Sequence, residues 1–172
     1  MDSMDSVDSM DCLNSVLNMY TVSFVGHRDL SGAPPLSARI EEIVEKLLRK
    51  HEMVEFYIGR TGDFDILAAS CIKRVQKRLG EGNCELVLVQ PYHMRDEEYY
   101  EVYYDNILIP VPLETHYKSA YGKRNDWMLD RSDLLVAFVQ RKEGGAYTMM
   151  KRAQRRGIPV INLADVPDED ED

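Results

Sequence analysis

Short apolar runs alternate along the chain with longer stretches in which apolar residues recur every three or four positions. The run YTVSFVG (Tyr20 to Gly26) is β-branched and aromatic and stops at glycine, as a buried strand does. After the loop HRDLSGAPP, residues Leu36, Ile40, Ile43, Val44, Leu47 and Leu48 share one face of a helix expected over 36–51, and the opposite face is charged. VEFYIG (54–59) predicts a second strand. Residues 65–79 predict a second helix with Ile66, Leu67, Ala69, Ile72, Val75 and Leu79 inward. CELVLVQPY (84–92) reads as a third strand stopped by Pro91. Over 97–112 the pattern is mixed, with EEYYEVYYDNI suiting a short helix and ILIPVP an extended segment at a sheet edge. Regularity returns with RNDWMLDRSD (124–133) as helix, LLVAFVQ (134–140) as strand, GAYTMMKRAQRR (145–156) as helix and IPVINLA (158–164) as strand.

Strands that alternate with helices of this length imply a mostly parallel sheet whose right-handed crossovers place helices on both faces. The expected fold is therefore a single α/β domain over 20–164, doubly wound in three layers. Ligands of such folds bind outside the carboxyl ends of the strands, where strand order reverses, so the residues after each strand carry the chemistry. Those are Gly26, His27, Arg28 and Asp29; Gly59, Arg60, Thr61, Gly62 and Asp63; Pro91, Tyr92 and His93; and Arg141 to Gly145. Glycines let a ligand approach the backbone, helix N-termini favour anions, and arginine adds bidentate hydrogen bonds to phosphate. The combination suits a phosphorylated ligand. Within GRTGDFDILAA, Asp63 is the expected helix cap, and Asp65 either caps or accepts from ribose hydroxyls. His27 is expected to touch the ligand. Gly122 is read as a break that lets Arg124 and Asn125 open a helix at the same sheet edge, with Asn125 either capping or contacting ligand.

Composition narrows the function. The chain of 172 residues carries a formal charge of −9, but four acids lie before Tyr20 and six from Asp165 onward, and without them the remainder stands at +1. The body thus advertises no broad basic surface for nucleic acid. Segments 1–19 and 165–172 read as disordered acidic tails. No apolar run approaches membrane length and no signal peptide is visible. Cys12, Cys71 and Cys84 show no CxxC spacing and suggest reduced, mostly buried thiols, hence a cytoplasmic address and no structural metal. No P-loop, GxGxxG, GxSxG or HExxH motif occurs, which disfavours routine kinase, GTPase, dehydrogenase, serine-hydrolase and zincin readings. No resident cofactor is expected. Tyr99, Tyr100, Tyr103 and Tyr104 would form one stripe on a helix, as packing against the body, a lid, a base-stacking platform or a dimer contact.

Taken in order, VGHR, GRTGDFDILAA, VQPY, KRNDWMLDRSDLLVAFV and GGAYTMMKRAQRRGIPVINL resemble the SLOG superfamily of Rossmann-like domains, and within it the YpsA-like bacterial and phage members. The resemblance spans about 21–163 and implies a pocket for a nucleotide or nucleotide derivative, touched by Gly26, His27, Arg28, Gly59, Gly62, Asp65, Arg124, Asn125, Gly144 and Gly145; Arg60 and Tyr92 join this set as residues that follow the second and third strands. More distantly it points to LOG-type phosphoribohydrolases, which cleave an N-glycosidic bond with a glutamate three residues after the threonine of a glycine-rich turn. Here that turn is Gly144-Gly145-Ala146-Tyr147-Thr148 and the glutamate position holds Lys151. Lysine cannot steady an oxocarbenium-like transition state, so this hydrolase activity is not expected unless Asp65, Asp63 or Glu143 substitutes.

Overall fold

A computed structural model of the chain describes residues 18–80 and 82–165; the rest of both expected tails, with Cys12, lies outside them. The elements follow in the order β1 (Met19–Gly26), α1 (Ser37–Lys50), β2 (Met53–Ile58), α2 (Asp63–Leu79), β3 (Cys84–Val89), α3 (Glu97–Tyr103), β4 (Asn106–Leu108), α4 (Tyr117–Arg131), β5 (Leu134–Phe138), α5 (Gly145–Arg155) and β6 (Val160–Asn162). All six strands are parallel and lie in the order β4-β3-β2-β1-β5-β6. The expected three-layer, doubly wound α/β domain is what forms, and the mixed region 97–112 resolves into the short helix α3 and the edge strand β4.

The strands are apolar on both faces because both are covered. Phe24, Phe56 and Leu86 turn to one side and pack with Ile40 and Val44 of α1 and Phe64, Ala68 and Ile72 of α2. Tyr57, Val87 and Leu135 turn to the other, against Met128 and Leu129 of α4 and Met149 and Ala153 of α5. Cys71 and Cys84 are buried and unbridged. Tyr104 is buried too, whereas Tyr99 is exposed, so the expected tyrosine stripe splits between core and surface.

Strand order reverses between β1 and β5. Their register ends with Gly26 opposite Phe138. Asp133 stitches the other end: its carboxylate accepts from Thr21 N at 2.9 Å, and its N–H donates to Thr21 O at 2.8 Å.

The structure corrects one helix. α4 begins at Tyr117, seven residues before Arg124, with His116 as its cap, accepting from Lys118 N at 3.2 Å. Gly122 lies inside the helix, so Asn125 is no N-cap and Arg124 projects from the third turn. YKSAYGK lacks an apolar period and carries a glycine, which is why it reads as loop; packing of Ala120, Met128 and Leu129 against the body overrides that weak local preference. No helix among the described residues is long and apolar enough to cross a membrane.

Candidate functional site

At the reversal point, outside the carboxyl ends of β1 and β5, lies a cavity of about 560 Å³. That is within the usual range for small-molecule sites. Of the residues expected to form a site, Gly26, His27, Arg28, Arg124, Asn125, Glu143, Gly144 and Gly145 line it together. Thr61, Tyr121 and Arg141 also line it. Gly59, Arg60, Gly62, Asp65 and Tyr92 do not form its surface.

The glycines divide into two groups. A Cβ on Gly26 would fall 2.2 Å from the Phe64 ring, on Gly59 2.7 Å from an Arg124 Nη, and on Gly62 2.3 Å from Arg28 Cα. These three make room for protein. Gly62 in particular lets the loop after β1 lie on the turn after β2, where Asp63 N donates to Arg28 O at 2.8 Å. That contact fixes the backbone from which the Arg28 side chain reaches the cavity. Gly144 has φ of +90°, a conformation that favours glycine, and it caps α5. Gly145 has neither reason: its φ is ordinary, and a Cβ there would meet nothing within 4 Å.

No side chain caps α5. The first intrahelical donor is Thr148 N, to Gly144 O at 3.0 Å, so the amides of Gly145, Ala146 and Tyr147 have no partner within the helix. The positive end of α5 therefore opens at the cavity beside Arg28, Arg124 and Arg141. Asp29 and Glu143 bring the opposite charge, though Asp29 Oδ1 accepts from Ser31 N at 2.8 Å, and hydrogen bonding to the Ser31 side chain, then to its backbone, holds the Asp29 pKa below the ordinary value.

Arg124 is only 5% exposed. Its Nη1 donates to Val89 O at 3.1 Å and its Nε to Asn125 Oδ1 at 3.0 Å, so strand and helix aim the guanidinium. Burial pushes its pKa down, opposed by the nearby Asp65 carboxylate. Asp65 is equally buried, and burial raises its pKa against the hydrogen bonds of Thr61 N (3.1 Å) and Thr61 Oγ1 (2.9 Å) and the charge of Arg124. Asp65 thus closes the turn before α2 from inside, and its carboxylate does not reach the cavity surface. Asp63 is not the cap either, for Gly62 occupies that position and Asp63 Oδ2 accepts from Leu30 N at 3.2 Å.

His27 is 7% exposed and stacks edge-on against Phe138. Its Nε2 accepts from Gln140 N at 2.9 Å, which places the proton of the neutral ring on Nδ1. Burial, then the charge of Arg141, lowers its pKa. Tyr121 forms a wall of the cavity, with the guanidinium carbons of Arg28 and Arg124 5.7 and 5.3 Å from its ring centroid. Tyr92 sits outside and shares a 3.0 Å hydrogen bond with the Tyr121 hydroxyl. Arg60 turns to a separate cleft, lying 4.6 Å over the Tyr100 ring with Nη1 3.4 Å from the Tyr104 hydroxyl. Once α4 is extended back to Tyr117, Tyr121, Arg124, Asn125 and Met128 fall at helical spacing, which is the signal that would have found Tyr121.

No protein-family model matches the sequence, and no curated protein matches it. Solved structures do resemble the fold. DNA processing protein A from Streptococcus pneumoniae is 15% identical with a TM-score of 0.64, over 90% of this chain and 53% of that one. The chain thus spans about half the length of that protein. DNA processing protein A from Helicobacter pylori, described for its single-stranded DNA binding mode, is 15% identical with a TM-score of 0.62, over 90% of this chain and 69% of that one. The structural-genomics protein TM1055 is 17% identical with a TM-score of 0.51, over 83% and 72%. At these identities the likeness establishes a shared Rossmann-like fold.

Proposed function

We propose that this chain binds a nucleotide or nucleotide-derived ligand in the cavity between β1 and β5, as a YpsA-like member of the SLOG superfamily acting in the cytoplasm. The observation that carries the reading is Gly145: its missing side chain serves no packing need, and the space it leaves lies at an uncapped helix N-terminus flanked by three arginines. A phosphate there would accept from the free amides of α5 and from Arg28 and Arg141. Arg124, already bonded to Val89 O, adds fixed charge from behind. Neutral His27 offers Nδ1–H as a donor, and the Tyr121 ring offers a face for a base. The sequence motifs and the single-stranded DNA binding of the Helicobacter pylori protein support nucleotide chemistry; the near-neutral body argues against a long nucleic-acid track.

Calorimetric titration of the four ribonucleoside 5′-monophosphates into wild type and Arg28→Ala tests this. Saturable binding of at least one, weakened about tenfold or more in the variant, is expected, since one charge-assisted hydrogen bond contributes that much. Folded wild-type protein that binds none of them up to about 1 mM would refute it.

A second reading, cleavage of a nucleotide's N-glycosidic bond, is favoured by one observation: Glu143 lines the cavity. The two readings diverge at Glu143→Gln. Removing a carboxylate beside a phosphate site tightens binding of a monophosphate, whereas a catalytic Glu143 shows itself as release of free base that the variant abolishes.

A further inference from the structure

A second cavity, of about 410 Å³, lies on the far side of the turn between β5 and α5. Arg141 lines both cavities. The turn alternates its charges between them, with Lys142 facing the second and Glu143 the first. Lys151, one turn after Tyr147 on α5, also faces the second cavity. It therefore does not reach into the first cavity, where the glutamate of a LOG-type enzyme would be needed.

Three cations meet around this cavity against the single carboxylate of Asp165. Around the end of α5 two of the basic residues are neutralised, Arg152 and Arg156 pairing with Asp126 at 3.1 and 3.2 Å and Arg156 with Asp130 at 2.7 Å, while Arg155 has no ion pair among the described residues. Arg141, Lys142 and Lys151 have no such ion pair among the described residues. Like charges held together in a concave site repel unless an anion joins them, and field lines concentrate in such a site. Tyr147 and Met150 supply an apolar wall beside the cations.

We infer that the second cavity is a subsite for a second phosphate, so that the ligand of this protein is a nucleotide bearing two separate phosphate groups, one on each side of the β5–α5 turn. The inference rests on the nucleotide reading of the first cavity and extends it. Arg141 is the shared contact. The chemistry is common to a nucleoside 3′,5′-bisphosphate and to a 5′-phosphorylated dinucleotide, in which the second group is the phosphodiester.

The test titrates three probes of matched base, namely the 5′-monophosphate, the 3′,5′-bisphosphate and the 5′-phosphorylated dinucleotide, into the full chain and into Lys142→Gln/Lys151→Gln. Both lysines lie at the surface of the cavity, and the double variant's fold is checked by its denaturation midpoint. The expected result is that at least one doubly phosphorylated probe binds about tenfold tighter than the monophosphate. The double variant should lose that advantage and bind the monophosphate as wild type does. Its binding should also depend less steeply on salt, because fewer counterions are released. Which doubly phosphorylated probe wins separates the free bisphosphate from a strand end. Equal affinity for all three probes, or an advantage that survives in the double variant, overturns the inference while leaving the first cavity's reading intact. Binding of none of the three removes both.

Discussion

At the scale of single residues, the fold opposes protonation of His27. Its Nε2 is committed to the Gln140 N–H, and burial with Arg141 nearby lowers its pKa below the usual value of about 6.5. The unfolded chain therefore takes up a proton at a pH where the folded chain does not. The stability this confers is present above about pH 6.5 and is lost as pH falls through the folded value. Thermal denaturation midpoints of wild type and His27→Gln should accordingly converge as pH drops from neutrality towards 5; parallel profiles would rule the coupling out. His27, Arg28, Gly144 and Gly145 are legible in sequence because each lies in the loop or helix start that follows a strand, and the fold class dictates that such positions share a rim. Gly62 opens α2 as its sequence suggests, but only three dimensions show that its missing Cβ faces Arg28, and that of the roles open to Asp65 in sequence its carboxylate turns back to Thr61.

Elements show where local patterns mislead. The strands announced themselves through β-branched runs, whereas α4 lost its first two turns to a reading of Gly122 as a breaker. The structure places Gly122 in an ordinary helical interior with open space around it, and Gly62 against backbone at the start of α2. Alanine should therefore act in opposite directions at the two sites. Gly122→Ala should raise stability by about 0.5–1 kcal/mol, the helix-propensity difference. Gly62→Ala should lower it by about 1–3 kcal/mol or more, because a Cβ 2.3 Å from Arg28 Cα forces the loop after β1 away. Urea denaturation of both variants decides the matter; stabilisation by Gly62→Ala would contradict the close approach. The Gly62 change should also weaken nucleotide binding, because Arg28 moves with that loop.

Across the whole molecule, alternation of strands and helices made the parallel sheet foreseeable but left the central strand open. Periodicity sets which way a strand's side chains point but not which strand lies beside it. Because ligand binds the folded cavity and not the unfolded chain, a nucleotide at 100 times its dissociation constant should stabilise the protein by about 2.7 kcal/mol. For a domain of this size that is a rise in melting temperature of roughly 5–11 °C, readable by scanning fluorimetry. Arg28→Ala at the same nucleotide concentration should show a smaller rise, and an unmoved midpoint in wild type would conflict with a specific site. Strand order carries one more consequence. β1 pairs with β2 on one side and with β5 on the other, and the bond from Thr21 to Asp133 spans 112 residues. At synthesis rates of 5–20 residues per second, roughly 6 to 22 s pass between the emergence of those two segments from the ribosome. Through that interval the growing half-sheet of β1 to β4 has no native partner for the inner edge of β1, the edge beside which the cavity is later built. That edge stays open to interception by other strands until Leu134–Phe138 arrive to pair with it.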